Sequence, residues 1–528
     1  MNKLLMHALA LLAAGTAAPA AAVDIKMCRA LFPTGYDFSV VPDFSQVPDA
    51  PTHILEAEEI AAAGDVPAYC RVEGYVTPRV GFDLRMPTAN WNGKMIMHGC
   101  GGYCGSLEGA NSCADSLARG YACIFTDLGH RSTALDAKWA YNDAQALIDF
   151  YYRATHVTVQ AGRAIVAAAY GQEISKSYFR GCSTGGRQGM ISAQRFPADF
   201  DGIIAGAAAS VSTAGGMHLI WSALANLDKS GAPIMSDAKV PMLAKAVMDK
   251  CDGLDGLVDG MIDDPRACGF DPAEIACKRG QKSDQCLTPA EVGVVRKIYA
   301  GAVNSKGENI YRAPPMPGSE LTWVPVYIGE NGLKGGYYYF GADYLRYIAY
   351  AEDPGPTWRP EDFDWDRDPP RLGYSRTFNN AANPDLNAFK ERGGKLIGFQ
   401  GWNDYSVPPT AIVDYYEKVV RLMGGLDRTQ DFYRLFMLPG VNHCTGGVGP
   451  DRLDLLTALE AWVEQGQAPE LVVAAKSTER LPGYPRFPLD ASKITMTRPI
   501  YPYPAVARYA GSGDPNRAES FRRFDPPR

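Results

Sequence analysis

Tyr178-Phe-Arg-Gly-Cys-Ser-Thr-Gly-Gly-Arg187 is the stretch from which the rest of the chain can be read. Its centre, Gly181-Cys182-Ser183-Thr184-Gly185, is a G-x-S-x-G pentapeptide. The run before it, Lys176-Ser-Tyr-Phe-Arg180, reads as a short strand, and the run from Arg187 to Arg195 reads as a helix. Strand, sharp turn and helix are the setting in which this pentapeptide forms a nucleophile elbow on an α/β-hydrolase sheet. Glycine is needed there because strand and helix approach too closely for side chains. Ser183 Oγ is then expected at the tip of the turn, beside the positive end of the helix dipole.

Hydrolases with this elbow carry their triad in the order Ser, Asp, His. Of the seven histidines only His218 and His443 lie downstream of Ser183. His218 leaves too little chain for an acid-bearing strand to come between. His443 sits in Leu438-Pro-Gly-Val-Asn-His-Cys444, a loop directly after the apolar run Phe432 to Leu438. For the acid, Lys395-Leu-Ile-Gly-Phe-Gln400 reads as a buried strand with Asp404 on the loop after it, whereas Asp427 and Asp431 fall in polar turns. Asp404 would orient the imidazole and stabilise its charged form. A cysteine adjoins each end of the pair, Cys182 beside Ser183 and Cys444 beside His443. A Cys182–Cys444 bridge would close a loop of about 260 residues and constrain the unfolded chain by roughly 5 kcal/mol. It would also fix the Ser–His distance on which proton transfer depends.

An acyl-transfer site also needs donors aimed at the oxyanion. One is expected from the backbone N–H of Thr184. The other would come from the loop Gly99-Cys-Gly-Gly-Tyr-Cys-Gly105, where Gly101 and Gly102 are the candidates. This loop follows a short buried strand, Met95 to His98. His98 and His130 read as residues that hold loops by hydrogen bonds.

The arrangement Cys182-Ser183, Asp404, His443-Cys444 resembles the tannase/feruloyl esterase family, whose mark is a triad with a disulfide joining the neighbours of Ser and His. The likeness runs from about Cys28 to about Trp462. It implies an α/β-hydrolase fold with an inserted lid, and hydrolysis of aromatic acid esters through an acyl-enzyme. Feruloyl or hydroxycinnamoyl esters come first. Galloyl esters (tannase) and mono(hydroxyethyl) terephthalate are the alternatives.

Residues 1–22 open with Met-Asn-Lys, continue rich in Ala and Leu, and end in Ala18-Pro-Ala-Ala-Ala22, the pattern of a secretory signal peptide. No cysteine stands at the cleavage point, and no later apolar run reaches the length of a membrane span. The remaining roughly 505 residues exceed one usual core, so a main domain with a large insertion is expected. Two antiparallel strands fit Ala68 to Pro87, a further strand fits Tyr121 to Thr126, and helical periodicity runs from Asp143 to Tyr170. Such alternation indicates a mostly parallel sheet with helices on both faces. The alternation stops after Gly206 and returns at Lys395. The expected division is therefore a catalytic domain, residues 23–206 and 379–528, with a lid domain at 207–378. Leu471 to Ala475 is read as completing the sheet domain, and the last dozen or so residues as loose.

The formal charge of −7, without a Lys/Arg cluster, argues against nucleic acid and anionic membranes as partners. Twelve cysteines in an exported chain argue for disulfides. Local spacing pairs Cys251 with Cys268 and Cys277 with Cys286, and Cys28–Cys70 would tie down the N-terminal segment. The pairing among Cys100, Cys104, Cys113 and Cys123 stays open. Within the insertion, Cys251-Asp-Gly-Leu-Asp-Gly-Leu-Val-Asp-Gly-Met261 offers Asp252, Asp255 and Asp259, hard oxygen donors that suit calcium. The family resemblance adds the carbonyls of Leu257 and Met261 as ligands and makes the calcium structural. An aromatic tract from Tyr337 to Trp365 suits either the lining of a pocket for an aromatic acyl group or the insertion's own core, and Arg346 is a candidate for a substrate carboxylate. The rival readings are another acyl hydrolase, a peptidase or lipase, and a calcium-dependent carbohydrate-binding protein with a vestigial triad.

Overall fold

The structure, a computed structural model, describes residues 24–32, 44–311, 313–479 and 487–526. The expected signal peptide lies outside the described residues. Nine strands form one sheet: β1 (Thr52–Ile60), β2 (Tyr69–Val76), β3 (Val80–Pro87), β4 (Lys94–His98), β5 (Ala122–Thr126), β6 (Lys176–Cys182), β7 (Gly202–Gly206), β8 (Lys395–Gly401) and β9 (Tyr433–Leu438). Their order is β1-β2-β3-β5-β4-β6-β7-β8-β9. Pairing is antiparallel as far as β3–β5 and parallel from there to β9. Parallel neighbours require crossovers, and here the crossovers are helical. They include α1 (Ala154–Tyr170) and α2 (Thr184–Arg195).

The period-two alternation of the strands sorts their side chains onto two cores. Met95, Met97, Phe179, Ile203, Leu396 and Leu435 share one buried cluster with α1 and α2. Their neighbours Ile96, Tyr178, Ile204, Ile397 and Phe436 share the other, with Leu456, Leu459 and Trp462. Both faces are therefore covered, as parallel strands demand, and the sheet is that of an α/β-hydrolase.

The connection from β7 to β8 carries α3 (Ser212–Ala225), α4 (Val240–Cys251), α5 (Pro289–Ala300) and α6 (Gly336–Tyr344). It has a core of its own, including Leu243, Val247, Val295, Ile298, Trp323 and Tyr327. Helix α5 is defined at its start by Thr288 and Glu291, whose side chains and backbone N–H groups cap one another, with Pro289 at the first position. After β8 come α7 (Pro409–Leu422) and, beyond β9, α8 (Leu455–Gln465).

Two expectations are corrected at the C-terminus. Residues 471–475 do not extend the main sheet: β10 (Val472–Ser477) pairs with β11 (Ile494–Ile500) in a separate two-stranded sheet. The edge of β9 is already engaged by the tail, where Phe436 bridges Pro502 and the Tyr503 N–H donates to the Leu435 carbonyl at 2.7 Å. Proline cannot extend a ladder, so the contact stays local. Nor are the last described residues loose, since β12 (Val506–Tyr509) pairs with β13 (Phe521–Phe524). Arginines hold this hairpin by stacking, Arg498 over Phe521 at 4.0 Å and Arg508 over Phe524 at 3.5 Å.

Candidate active site

Ser183 stands between the end of β6 and the start of α2 with φ 62° and ψ −123°, a conformation that a non-glycine residue adopts at a cost. Hydrogen bonds hold it there. Its N–H donates to the Gly206 carbonyl at 3.0 Å, and its carbonyl accepts from the N–H groups of Arg187 and Ala209. The glycines are required by contact. A Cβ on Gly181 would lie 2.6 Å from the Gly185 carbonyl carbon, and one on Gly186 would lie 2.3 Å from the Gly206 oxygen. The strand, the turn and the helix therefore close only with this pattern, which leaves Ser183 at the tip.

His443 and Asp404 meet at the ends of β9 and β8. His443 Nδ1 lies 2.9 Å from Asp404 Oδ2, and Asp404 is 0% exposed. Four N–H groups converge on this carboxylate. Gln400 Nε2 also donates to Oδ2 at 2.9 Å, while the backbone amides of Ser406 and Val407 donate to Oδ1 at 2.8 and 2.9 Å. Sequence reasoning did not find these supporting groups. Their one local signal is that all lie within four residues of Asp404.

Cys182 and Cys444 are bonded, with Cα atoms 5.9 Å apart across 262 residues of chain. Ser183, Thr184, Gly102 and His443 line one cavity of 620 Å³. Gly101, the other oxyanion candidate, instead lines a neighbouring cavity of 340 Å³ on the side of the Cys182–Cys444 bridge. The glycine loop is pinned at several points. Cys100 and Cys104 are bonded, the Cys100 N–H donates to Gln188 Oε1 at 3.1 Å, and Thr184 Oγ1 donates to the Gly102 carbonyl at 2.6 Å. Gly102 has φ +57°, and a Cβ there would lie 2.2 Å from the Ala134 oxygen. His98 and His130 hold loops, His98 against Ser112 and Ser116, and His130 against the Tyr103 carbonyl at 2.8 Å. His218 lies in the insertion against the Tyr327 hydroxyl, where burial pushes its pKa down to about 4. The remaining bridges are Cys28–Cys70, Cys113–Cys123, Cys251–Cys268 and Cys277–Cys286, so no cysteine is free.

The cavity is aromatic and apolar on its far side, where Tyr103, Phe150, Tyr311, Tyr337, Phe340 and Tyr344 face it. Tyr347, Tyr350 and Phe363 of the aromatic tract are instead buried in the cluster shared with the sheet, not in the insertion's own core. Arg346 is not where a substrate carboxylate would need it. Its Nε donates to the Trp358 carbonyl at 2.6 Å and its Nη1 meets Asp343 Oδ1 at 3.2 Å, outside the cavity lining. Among the described lining residues the arginine is Arg187, which is buried and donates to the carbonyls of Tyr151 and Phe150.

The three aspartates of the insertion loop are turned onto the loop's own amides. Asp252 accepts from the N–H groups of Asp259 and Gly260, Asp255 from Leu257, and Asp259 from Met261. Among the described residues, the group of three metal-ligand side chains whose atoms all lie within 4.8 Å of one another is His98, Cys113 and Cys123. The two sulfurs of that group are spent in a disulfide. The aspartate loop nevertheless suits a hard cation. Burial, with Asp255 and Asp252 nearby, raises the Asp259 pKa against the pull of Arg498, and Asp263 Oδ1 is buried without a hydrogen-bond partner. All the donors are oxygens.

The family described as "Tannase and feruloyl esterase" matches residues 64–336 and 364–524. The chain is 37% identical over 538 aligned positions to a mono(2-hydroxyethyl) terephthalate hydrolase of Piscinibacter sakaiensis, covering 89% of this chain and 87% of that one. It is 31% identical to a probable feruloyl esterase B-2 of Aspergillus flavus, covering 78% and 81%. Feruloyl esterase B from Aspergillus oryzae superposes with a TM-score of 0.80 at 26% identity, covering 90% of this chain and 97% of that one. The chain belongs to the tannase and feruloyl esterase family, a family of esterases.

Proposed function

We propose that the chain is a secreted or periplasmic serine carboxylic ester hydrolase acting on esters of aromatic acids, with hydroxycinnamoyl esters foremost. One observation carries this reading: a disulfide ties a strained serine to a histidine whose other nitrogen is held by a buried carboxylate, and both open on an aromatic cavity. His443 Nε2 takes the proton of Ser183 Oγ as the oxygen attacks the ester carbonyl. The N–H of Thr184 and that of Gly102 hold the oxyanion; Gly102 is preferred to Gly101 because it borders the cavity. The alcohol leaves with the proton from His443, and water then hydrolyses the acyl-enzyme by the reverse sequence. Asp404 fixes the imidazole tautomer throughout.

Calcium on Asp252, Asp255, Asp259 and the carbonyls of Leu257 and Met261 would neutralise mutually repelling carboxylates and stiffen the insertion, without entering the chemistry. The insertion would act as a lid, since its helices supply one wall of the cavity. Export is supported by the leader pattern of residues 1–22 together with six disulfides. Hydrolysis of a panel of feruloyl, galloyl, terephthaloyl and long-chain fatty esters tests the reading. The expected result is turnover of the aromatic esters, lost in Ser183→Ala with the fold intact. Preference for fatty esters, or activity retained by Ser183→Ala, would overturn it. A second reading, hydrolysis of mono(hydroxyethyl) terephthalate, draws on the 37% identical relative.

A further inference from the structure

One face of α6 looks into the cavity: Gly336, Tyr337, Phe340, Asp343 and Tyr344 all line it, spaced as successive turns of a helix require. Tyr339 of the same helix lines it too, so five of the six are glycine or aromatic, and Asp343 is the exception. A carboxylate among aromatic rings is costly unless it is paired or used. Asp343 is paired on one side only, its Oδ1 taking the Arg346 Nη1 at 3.2 Å. No described residue donates a hydrogen bond to its Oδ2. The neighbouring polar groups are committed elsewhere. The Tyr103 hydroxyl donates to the Phe340 carbonyl at 2.5 Å, the Tyr344 hydroxyl lies with Ser375 and Asn379, and the Arg187 Nη atoms donate to backbone carbonyls. Tyr103 also stacks on Phe340 with ring centroids 4.4 Å apart, so a flat aromatic surface adjoins the carboxylate.

We propose that Asp343 sets the acyl-group specificity of this site, accepting a hydrogen bond from a phenolic hydroxyl on the acyl ring and disfavouring an acyl group that carries a free carboxylate. The inference rests on the aromatic-esterase reading and refines it. An ionised acceptor in an apolar setting gives a short, strong O–H···O⁻ bond. A site built to bind a hydroxyl also rejects the analogue that lacks it, because its acceptor is left unpaired. A second carboxylate on the ring would meet the same oxygen with like charge. The preferred substrates are then hydroxylated cinnamoyl, benzoyl or galloyl esters rather than monoesters of terephthalate.

The test compares kcat/KM for methyl 4-hydroxycinnamate, methyl 4-methoxycinnamate and monomethyl terephthalate in the wild type, Asp343→Asn, Asp343→Leu and Asp343→Glu. Rates are normalised by titrating the reactive serine with a 4-nitrophenyl phosphonate, which removes any contribution from unfolded variant. The wild type is expected to prefer the hydroxy over the methoxy ester by roughly 10- to 150-fold, the range for a hydrogen bond to a charged group. That ratio should fall towards one in Asp343→Leu, fall partway in Asp343→Asn and be partly restored in Asp343→Glu. Turnover of monomethyl terephthalate relative to the methoxy ester should rise about tenfold in Asp343→Asn. A hydroxy/methoxy ratio unchanged by the variants would overturn the role of Asp343 while leaving the esterase reading in place. No turnover of any aromatic ester by titratable wild-type enzyme would bring down both.

Discussion

Replacing Asp404 by asparagine is isosteric, yet the geometry gives it a large effect. Each carboxylate oxygen serves two donors, His443 Nδ1 and Gln400 Nε2 on Oδ2, and the amides of Ser406 and Val407 on Oδ1. An asparagine has one acceptor oxygen, and its NH2 group must face the other pair. With the NH2 towards His443, Gln400 Nε2 loses this acceptor but keeps the carbonyls of Gly401 and Val407; with the NH2 towards the turn, the amides of Ser406 and Val407 both lose their partner. At about 1–3 kcal/mol for each orphaned group, the second orientation should cost roughly 2–6 kcal/mol of stability. If the NH2 faces His443, the imidazole is driven to carry its proton on Nε2 and cannot accept one from Ser183, a loss on the order of 10⁴ in kcat. If the oxygen faces His443 instead, the tautomer survives and the stability loss falls on the 406–407 turn. Initial rates of ester hydrolysis and urea unfolding of the same samples read both quantities. A variant within tenfold of wild-type kcat and with an unchanged unfolding midpoint would refute the reasoning, because neither orientation permits both.

Removing the Cys182–Cys444 bridge in Cys182→Ala/Cys444→Ala frees a 262-residue loop, which the chain-entropy relation values at about 5–6 kcal/mol as an upper figure. Both the unfolding midpoint and kcat should drop, and an unaffected rate would show that the bridge is dispensable for placing His443. Chelation with EGTA should lower the thermal midpoint of the wild type, and calcium should restore it, through the free energy of a ligand bound only by the native state. The same treatment should leave Asp255→Asn unchanged; an EGTA-insensitive wild type would remove calcium from the account. Glu320 is fully buried, and burial pushes its pKa up to about 7, against hydrogen bonds from the Tyr299 hydroxyl and the Gly318 amide. A folded pKa above the unfolded value of 4.5 means that its stabilising contribution is complete below pH 4.5 and is lost as pH rises through 7. The stability of wild type minus that of Glu320→Gln should therefore fall by about 3 kcal/mol between those limits, read from urea midpoints, and a flat difference would contradict the shift.

What was legible in the chain was what local chemistry determines. The elbow shows in five residues because β6 and α2 approach too closely at Gly181 for a side chain, and Gly185 packs tightly against the Gly99–Cys100 backbone. Asp404 and His443, which the fold brings together, could be singled out because the Ser, Asp, His order and the strand ends leave few candidates. The two-sided sheet shows in the alternation of pairs such as Met95 and Ile96, or Tyr178 and Phe179. The features that were not legible depend on distance through space. Nothing local says that Tyr503 and Pro502 occupy the edge of β9 and so turn β10 onto β11. Nor does spacing alone pair Cys100 with Cys104, or show that Arg346 points away from the cavity to the Trp358 carbonyl. Asp343 left a faint trace, a single charge on the aromatic face of α6. That trace acquires meaning only once the face is seen to border the cavity.

The central claim is that Ser183 is the group that attacks the ester, and the most direct measurement is to identify the residue modified by a 4-nitrophenyl phosphonate through peptide mass analysis. The expected result is one equivalent of label on the peptide carrying Ser183, formed as activity disappears and absent in both Ser183→Ala and His443→Ala. Label on a different residue, or full activity in a protein fully labelled at Ser183, would contradict it.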